Sequence, residues 1–416
     1  MVAYRGSSRF LPARVFIEDL STPAGVTENG MWSIGCINPS VLGMSEPRYI
    51  TVRLPFHADG IYAGLLLSTA WLSKIVAHRV LGIVKGNTIL VELPEYRFLG
   101  KLRRKCYDIL PNRRYVDGVL KLVYSTIRSA MALGVDVSKL ELKQWLLFQS
   151  DGEASAKGNN NIRLLEPHRA RILVFSYDRQ PETMEIKLTV PKGYRKLVEE
   201  LVRKAYSREI GYPARVYISD YGIGKFGLHV AGELQVMVPY QLYCEVMKRY
   251  DKPLSDNIAG IDVNVERLDV AIVSPSGRLR RVKTFWLDGT VHMGIRAGRA
   301  WSLIGETIHE MLEWLYHSGV STIVLENPEV LGYLRYYWIR NGKRRGRYWN
   351  WKVSMFRTSI IERIAWKTPL YSINVVYIDP KGTTSSREHS EIMRKYGLDR
   401  HTASAYLIAL KGLKQP

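Results

Sequence analysis

Between Arg48 and Leu54 the chain reads RYITVRL, with apolar and polar side chains exchanging places at each step, a two-residue period that predicts a strand with one buried face. An apolar stretch of helical length follows from Ile61 to Val84, with Gly82 near its end. A second helix is predicted from Tyr115 to Leu133, where apolar residues recur three and four apart. The polar run DGEASAKGNNN, Asp151 to Asn161, reads as an exposed loop or subdomain join. Strand patterns return at Arg171–Tyr177, Met184–Val190, Ala214–Asp220 and Leu228–Val238, with a helix over Tyr194–Tyr206 between the second and third. Short strands separated by turns predict a small β-barrel or sandwich into which the helical part, about residues 60–150, is inserted. Residues 1–47, where Gly25, Gly30, Gly35 and Pro39 break every apolar run, show no period and read as an arm with no assigned role.

The polar turn DKPLSDN, Asp251 to Asn257, ends that region, so a first domain covers 48–255 and a second 256–416. The second opens with IAGIDVNVERLDVAIVSPSGRLRRVKTFWL, an apolar strand followed, after the turn SPSGR, by a returning one. A long helix from about Ile295 to His317 leads to a strand ending at Glu326. Another strand, NVVYIDP at Asn374 to Pro380, precedes a helix that starts near Asp399. Alternating strands and helices give an α/β class with parallel strands.

Composition adds direction. The 416 residues suffice for two or three domains, and a 46% hydrophobic share argues against wholesale disorder. The formal net charge of +21 creates a positive field whose partners are polyanions, nucleic acid first and anionic membrane second. Three cysteines, Cys36, Cys106 and Cys244, form no C-x-x-C pair, which excludes a disulfide framework and a zinc ribbon. No secretory leader is legible and no apolar stretch approaches the length that crosses a bilayer, so the expectation is a soluble, cytoplasmic protein with no membrane partner.

Candidate chemistry follows from where acids interrupt apolar strands. Asp262 stands where a core strand would carry Val or Ile, and a buried carboxylate needs a cation beside it. Glu326 ends a second apolar strand, and two parallel strands with carboxylates at their C-terminal ends present both groups to one crevice. Asp399 and His401 fall at the start of the last helix. A set of Asp262, Glu326, Asp399 and His401 suits Mg²⁺ or Mn²⁺, held as a pair that activates water and stabilises a leaving oxygen at a phosphate. The structural alternatives are an Asp262 paired with a neighbouring side chain and an Asp399 that caps its helix. Sequence signatures of a nucleotide-binding P-loop, a nucleophile elbow and a zinc-protease helix are absent.

Between Glu326 and the last strand runs a basic aromatic segment from Gly332 to Lys367. In it Arg335, Arg340, Lys343, Arg344, Arg345, Arg347, Lys352 and Arg357 interleave with Tyr337, Trp338, Trp349 and Trp351. That mixture combines phosphate attraction with base stacking, and its bland reading is a solvated helix whose aromatics pack inward.

At these residues the chain resembles TnpB, the RNA-guided nuclease of insertion sequences, and its relatives the type V CRISPR effectors. The resemblance rests on GIDVNV at Gly260–Val265, VLENPEVL at Val324–Leu331, and DPKGTTSSREHSE leading to LDRHTASAYLIA at Leu398–Ala409. It implies a C-terminal RNase H-like (RuvC) nuclease domain over 256–416, preceded by a wedge-like β-barrel with a helical recognition insertion. It also implies guide RNA and target DNA as partners, with base pairing reading the sequence. Two departures stand out: the four-cysteine zinc ribbon is missing, and the family ending D-x-D-x-N-A-A places His401, not Asp399, at its second Asp. The expected activity is an RNA-guided, divalent-metal-dependent DNA endonuclease of mobile-element origin. Its rivals are a cleavage-deficient RNA-guided repressor and a guide-independent, structure-selective RuvC-type nuclease.

Overall fold

The computed structural model describes residues 49–132, 136–142, 146–225, 227–287, 297–327, 357–381, 383 and 386–414. The predicted arm, 1–47, and most of the basic aromatic segment lie outside the described residues. The chain divides into two compact units with the break between Val246 and Met247.

In the first unit the strict alternation after Arg48 becomes β1 (Tyr49–Asp59), whose inward residues Val52, Leu54, Phe56 and Ala58 are buried. It pairs antiparallel along its whole length with β7 (Gly227–Pro239), and the sheet continues through β6 (Ala214–Gly224) to β2 (Leu146–Ser150). A separate antiparallel sheet holds β3 (Ile162–Glu166), β4 (Arg169–Phe175) and β5 (Pro181–Lys187). A small β-barrel or sandwich was the expectation, the barrel being what the resemblance implies. Among the described residues the strands instead form these two open sheets, linked at one corner by the Thr189 amide donating to the Pro55 carbonyl at 2.8 Å.

Helix α1 (Gly60–Gly86) packs on β2, β4 and β7 and against α3 (Arg113–Ala132), with the short α2 (Glu95–Leu102) beside α3. Contrary to the expectation from sequence, α1 is by length and composition apolar enough to cross a membrane, and half of its most apolar window is buried within this unit. Its apolar residues occupy more than one side because sheet and helix both cover it. The polar run at Asp151–Asn161, expected as an exposed loop or subdomain join, is exposed at Glu153, Ser155 and Asn160 but buried at Gly158, Asn159 and Asn161. Asn159 is fully buried, its Nδ2 donating to the Ser150 and Tyr212 carbonyls and its Oδ1 accepting from the Asn161 and Ile162 amides, all at 3.0–3.1 Å. One asparagine thus satisfies four backbone groups beside a short 3-10 turn at Ala154–Ala156. Helices α4 (Arg195–Tyr206) and α5 (Tyr240–Met247) complete the unit.

The second unit is built on a five-stranded mixed sheet in the order β10-β9-β8-β11-β12, from β8 (Asn257–Val263), β9 (Arg267–Val273), β10 (Leu279–Trp286), β11 (Val320–Glu326) and β12 (Asn374–Ile378). The ladders β8–β11 and β11–β12 are parallel, while β8–β9 and β9–β10 are antiparallel. The run from Ile258 to Val273, read from sequence as one strand, is a hairpin that reverses at Asn264–Glu266 and sets Asp269 opposite Asp262. Sixteen unbroken residues would be about three times an ordinary strand. Helix α6 (Ala297–His317) leads into β11, a further helix covers 357–367, and the C-terminal helix Arg400–Leu413 lies on β8 and β9. Close approach there depends on Gly260, since a Cβ at that position would fall on the Ala405 carbonyl and the Ala409 amide.

Candidate metal centre

Strand pleating decides which side chains meet. Asp262 and Asp269 are directly opposed in the β8–β9 ladder, so they share a face, the one on which the C-terminal helix packs through Ala271, Val273, Ala403 and Ala405. That helix begins at the carboxyl end of β8 and brings His401 over the pair. Ligand atoms of Asp262, Asp269 and His401 all lie within 4.8 Å of one another. Asp262 and Glu326 are each 6% exposed and Asp269 is fully buried.

The partners of these groups set their charge states. His401 Nδ1 lies 3.0 Å from Asp262 Oδ2 and 3.0 Å from Asn264 Nδ2, which itself donates to Asp262 Oδ2 at 3.0 Å. Nδ1 cannot serve both neighbours at once. Protonated, it donates to Asp262; unprotonated, its single lone pair either accepts from Asn264 or goes to a metal in its place. The hydrogen bond to Asp262 holds the imidazole pKa above its ordinary value. Asp269 Oδ1 accepts from Thr284 at 2.7 Å, while Oδ2 stands 3.1 Å from Arg267 Nε without hydrogen-bonding geometry. Burial pushes the Asp269 carboxyl up, with the negative charge of Asp262 adding to it.

Glu326, on β11, is pushed up by burial too, and Asp262 acts in the same direction. Its Oε1 accepts from Thr383 at 2.8 Å. One guanidinium nitrogen, Arg357 Nη2, stands 3.4 Å from Glu326 Oε2 and 3.7 Å from Asp262 Oδ1, bridging the two strands. Arg357 Nε is buried with no hydrogen-bond partner among the described residues.

Of the four residues singled out from sequence, the structure gathers Asp262 and His401 directly and joins Glu326 to Asp262 through Arg357. Asp399 is turned to another task. It is the N-cap of the C-terminal helix, Oδ1 accepting from the His401 and Thr402 amides and the Thr402 hydroxyl at 2.7–3.1 Å, with Oδ2 3.3 Å from Arg267 Nη2. Partial burial would raise its pKa, but the Thr402 hydrogen bonds and Arg267 prevail and hold it below the usual range. Arg335, Tyr337, Trp338, Arg340, Lys343, Arg344, Arg345, Arg347, Trp349, Trp351 and Lys352 lie outside the described residues, and Arg357 sits among the carboxylates. Asp269 escaped the sequence reading, although its signal was there: RLDVAIV places an acid inside an apolar strand as GIDV does.

Paired buried carboxylates and an imidazole nitrogen within 4.8 Å of one another, one carboxylate oxygen having no hydrogen-bond partner among the described residues, form an oxygen-rich donor set that fits a divalent cation.

A family model described as the SSO2105 N-terminal domain matches residues 49–248. Two uncharacterized proteins of Aeropyrum pernix are similar to this chain. One is 44% identical over 374 residues, covering 90% of this chain and 88% of the other; the second is 45% identical over 368 residues, covering 88% and 97%. The uncharacterized protein SSO2105 of Saccharolobus solfataricus is 31% identical over 324 residues, 75% of this chain and 81% of that one. Among solved structures, a Cas12f1–sgRNA–target DNA complex is similar at 14% identity and TM-score 0.49, covering 84% of this chain and 82% of that one. RuvC of T. thermophilus in complex with a Holliday junction substrate is similar at 15% identity and TM-score 0.26, covering 37% and 90%.

Proposed function

We propose that the chain, which belongs to the SSO2105 family, is a divalent-metal-dependent endonuclease with an RNase H-like (RuvC-type) second unit, acting on DNA under the direction of a bound RNA. The observation that carries this reading is the Asp262–Asp269–His401 cluster at the carboxyl end of β8, with Glu326 on the neighbouring parallel strand. In the sheet order β10-β9-β8-β11-β12 the carboxylates stand on three adjacent strands, Asp269 on β9, Asp262 on β8 and Glu326 on β11.

Asp262, Asp269, His401 and Glu326 would hold Mg²⁺ or Mn²⁺, and bound metal would supply an activated water and stabilisation of the leaving oxygen. Asn264 fixes the orientation of Asp262 and decides, with it, where the His401 proton resides. Thr383 fixes Glu326. Arg357 neutralises Asp262 and Glu326. Asp399 acts through the helix it caps, keeping His401 over Asp262. The first unit, with its two sheets and helical insertion, is the part proposed to hold guide RNA and heteroduplex, by backbone shape and charge.

A second reading, RNA-guided DNA binding without cleavage, is favoured by one observation: His401 stands where the TnpB ending pattern has its second aspartate, and Asp399 is engaged in capping. Both are tested together. The protein is purified from cells that carry its own locus, bound RNA is sequenced, and the complex is incubated with matched DNA with and without Mg²⁺ or Mn²⁺. RNA with metal-dependent products that vanish in Asp262→Ala supports the nuclease. RNA with tight DNA binding and no products supports the second reading, and absence of RNA removes guidance from both.

A further inference from the structure

Trp286 closes β10 at the same end of the sheet as the carboxylates and is 54% exposed. It pairs across the ladder with Arg267, the first residue of β9, and the Arg267 guanidinium lies 5.4 Å from the indole centroid. That guanidinium is tied down from its other side, Nε 3.1 Å from Asp269 and Nη2 3.3 Å from Asp399. Opposed pairs share a face, so Trp286 and Thr284 on β10, Arg267 and Asp269 on β9, and Asp262 on β8 form one continuous surface. At ~4.8 Å between strands and ~3.3 Å per residue, the Trp286 Cα is on the order of 12 Å from that of Asp262.

An exposed indole flanked by a fixed cation is a stacking platform rather than a packing element, because the ring's burial within the unit is incomplete and its neighbour is charged. Its strand selects the occupant. Arg280 and Arg281 on the same edge strand, and Arg278 just before it, are all exposed toward its other end, and with the formal net charge of +21 they favour a polyanion over an apolar peptide.

We propose that Trp286 stacks an unpaired nucleobase close along the strand to the phosphate at the carboxylates, and that Arg267 is the positioning residue that holds the indole. The proposal rests on the reading above that these carboxylates act on a phosphodiester. A base within a duplex already has neighbours on both faces, so the platform discriminates single strand from duplex, and it does so with little regard to base identity. Nothing in the stack depends on a 2′-hydroxyl, so DNA and RNA strands share the chemistry.

The test measures binding of the full chain, in EDTA so that nothing is cleaved, to labelled single-stranded DNA, single-stranded RNA and the matched DNA duplex by fluorescence anisotropy. Trp286→Ala is expected to weaken single-strand binding roughly 5- to 150-fold, the span that stacking of one base provides, and to change duplex binding less than twofold. Trp286→Phe should recover most of the loss, and indole emission lost between wild type and Trp286→Phe should be quenched by the single strand. Unchanged single-strand affinity in Trp286→Ala, or equal loss on single strand and duplex, would overturn the proposal. Recovery by Phe also guards against a folding defect as the cause. Absence of cleavage in the metal-loaded protein would bear on the nuclease reading and leave this binding result standing, so the two fail separately.

Discussion

The two ends of the five-stranded sheet bury polar groups in opposite ways. At the carboxyl end, Asp262, Asp269 and Glu326 are buried with Asp399 nearby, and they face two guanidinium groups, Arg267 and Arg357, together with His401. At the amino end, Lys367 Nζ meets His309 Nε2 at 2.6 Å and His309 Nδ1 meets the Tyr371 hydroxyl at 2.8 Å. Burial, helped by neighbouring cations, drives Lys367 down to about 8 and His309 down to about 4. One end therefore gives way to burial, His309 staying neutral at neutral pH and Lys367 parting with its proton more readily than an ordinary lysine, while at the other the acids outnumber the cations among the described residues. Retained, costly negative charge is the physical mark of a site built for an external cation.

The largest expected effect that would break this contrast is on catalysis. Asp262→Ala should reduce metal-dependent cleavage by about 10³-fold or more, a loss of the size seen when a principal charge-stabilising group is removed. Single-turnover assays on matched DNA measure it, and residual cleavage within tenfold of wild type would remove the carboxylate end from the chemistry. Next comes charge balance. Arg357→Met leaves Asp262 and Glu326 without their shared cation and should cost about 3 kcal/mol in EDTA, recovered on adding Mn²⁺, as thermal unfolding would register. Lys367→Met at the other end should cost about 1 kcal/mol or less, with no response to metal, because Lys367 bridges no pair of buried carboxylates and its removal leaves only His309 Nε2 without its hydrogen bond.

Asp269→Asn sharpens the carboxylate end further. Losing one buried ligand is expected to weaken Mn²⁺ binding by about 10- to 100-fold in calorimetry, whereas Asp399→Asn, which preserves a cap, should change it far less.

The smallest effect is in pH dependence, where the two ends have opposite signs. His309 titrates near 4 in the folded chain against 6.5 ordinarily, so the unfolded chain binds more protons between those values. Stability from that end rises from about pH 4 to 6.5 and is lost as pH falls through the same window. Glu326 and Asp269 have raised pKa values, so their contribution is present at low pH and fades as pH rises through the folded values. The change in unfolding free energy across this range should shrink by about 1 kcal/mol in His309→Gln, and added Mn²⁺ should abolish the loss at the carboxylate end.

What the sequence determined by itself was local. The two-residue period of RYITVRL and the three-and-four spacing of YVDGVLKLVYSTIRSAMAL depend only on which face a side chain must bury, and β1 and α3 follow them. Asp262 and Glu326 were legible because an acid ending an apolar strand has to be explained wherever that strand lies. The tertiary structure decided everything that depends on register. The reversal at Asn264–Glu266 turns one apparent strand into two and makes Asp269 the neighbour of Asp262. The open sheets of the first unit depend on which edges meet, and alternation within a strand carries no information about its partner. The division between His401 over the cluster and Asp399 at the cap follows from how the last helix crosses Gly260, an approach set by a missing Cβ on another strand. Period is written in neighbouring residues, whereas a binding site is written in contacts between residues far apart in the chain, which only the folded backbone brings within reach.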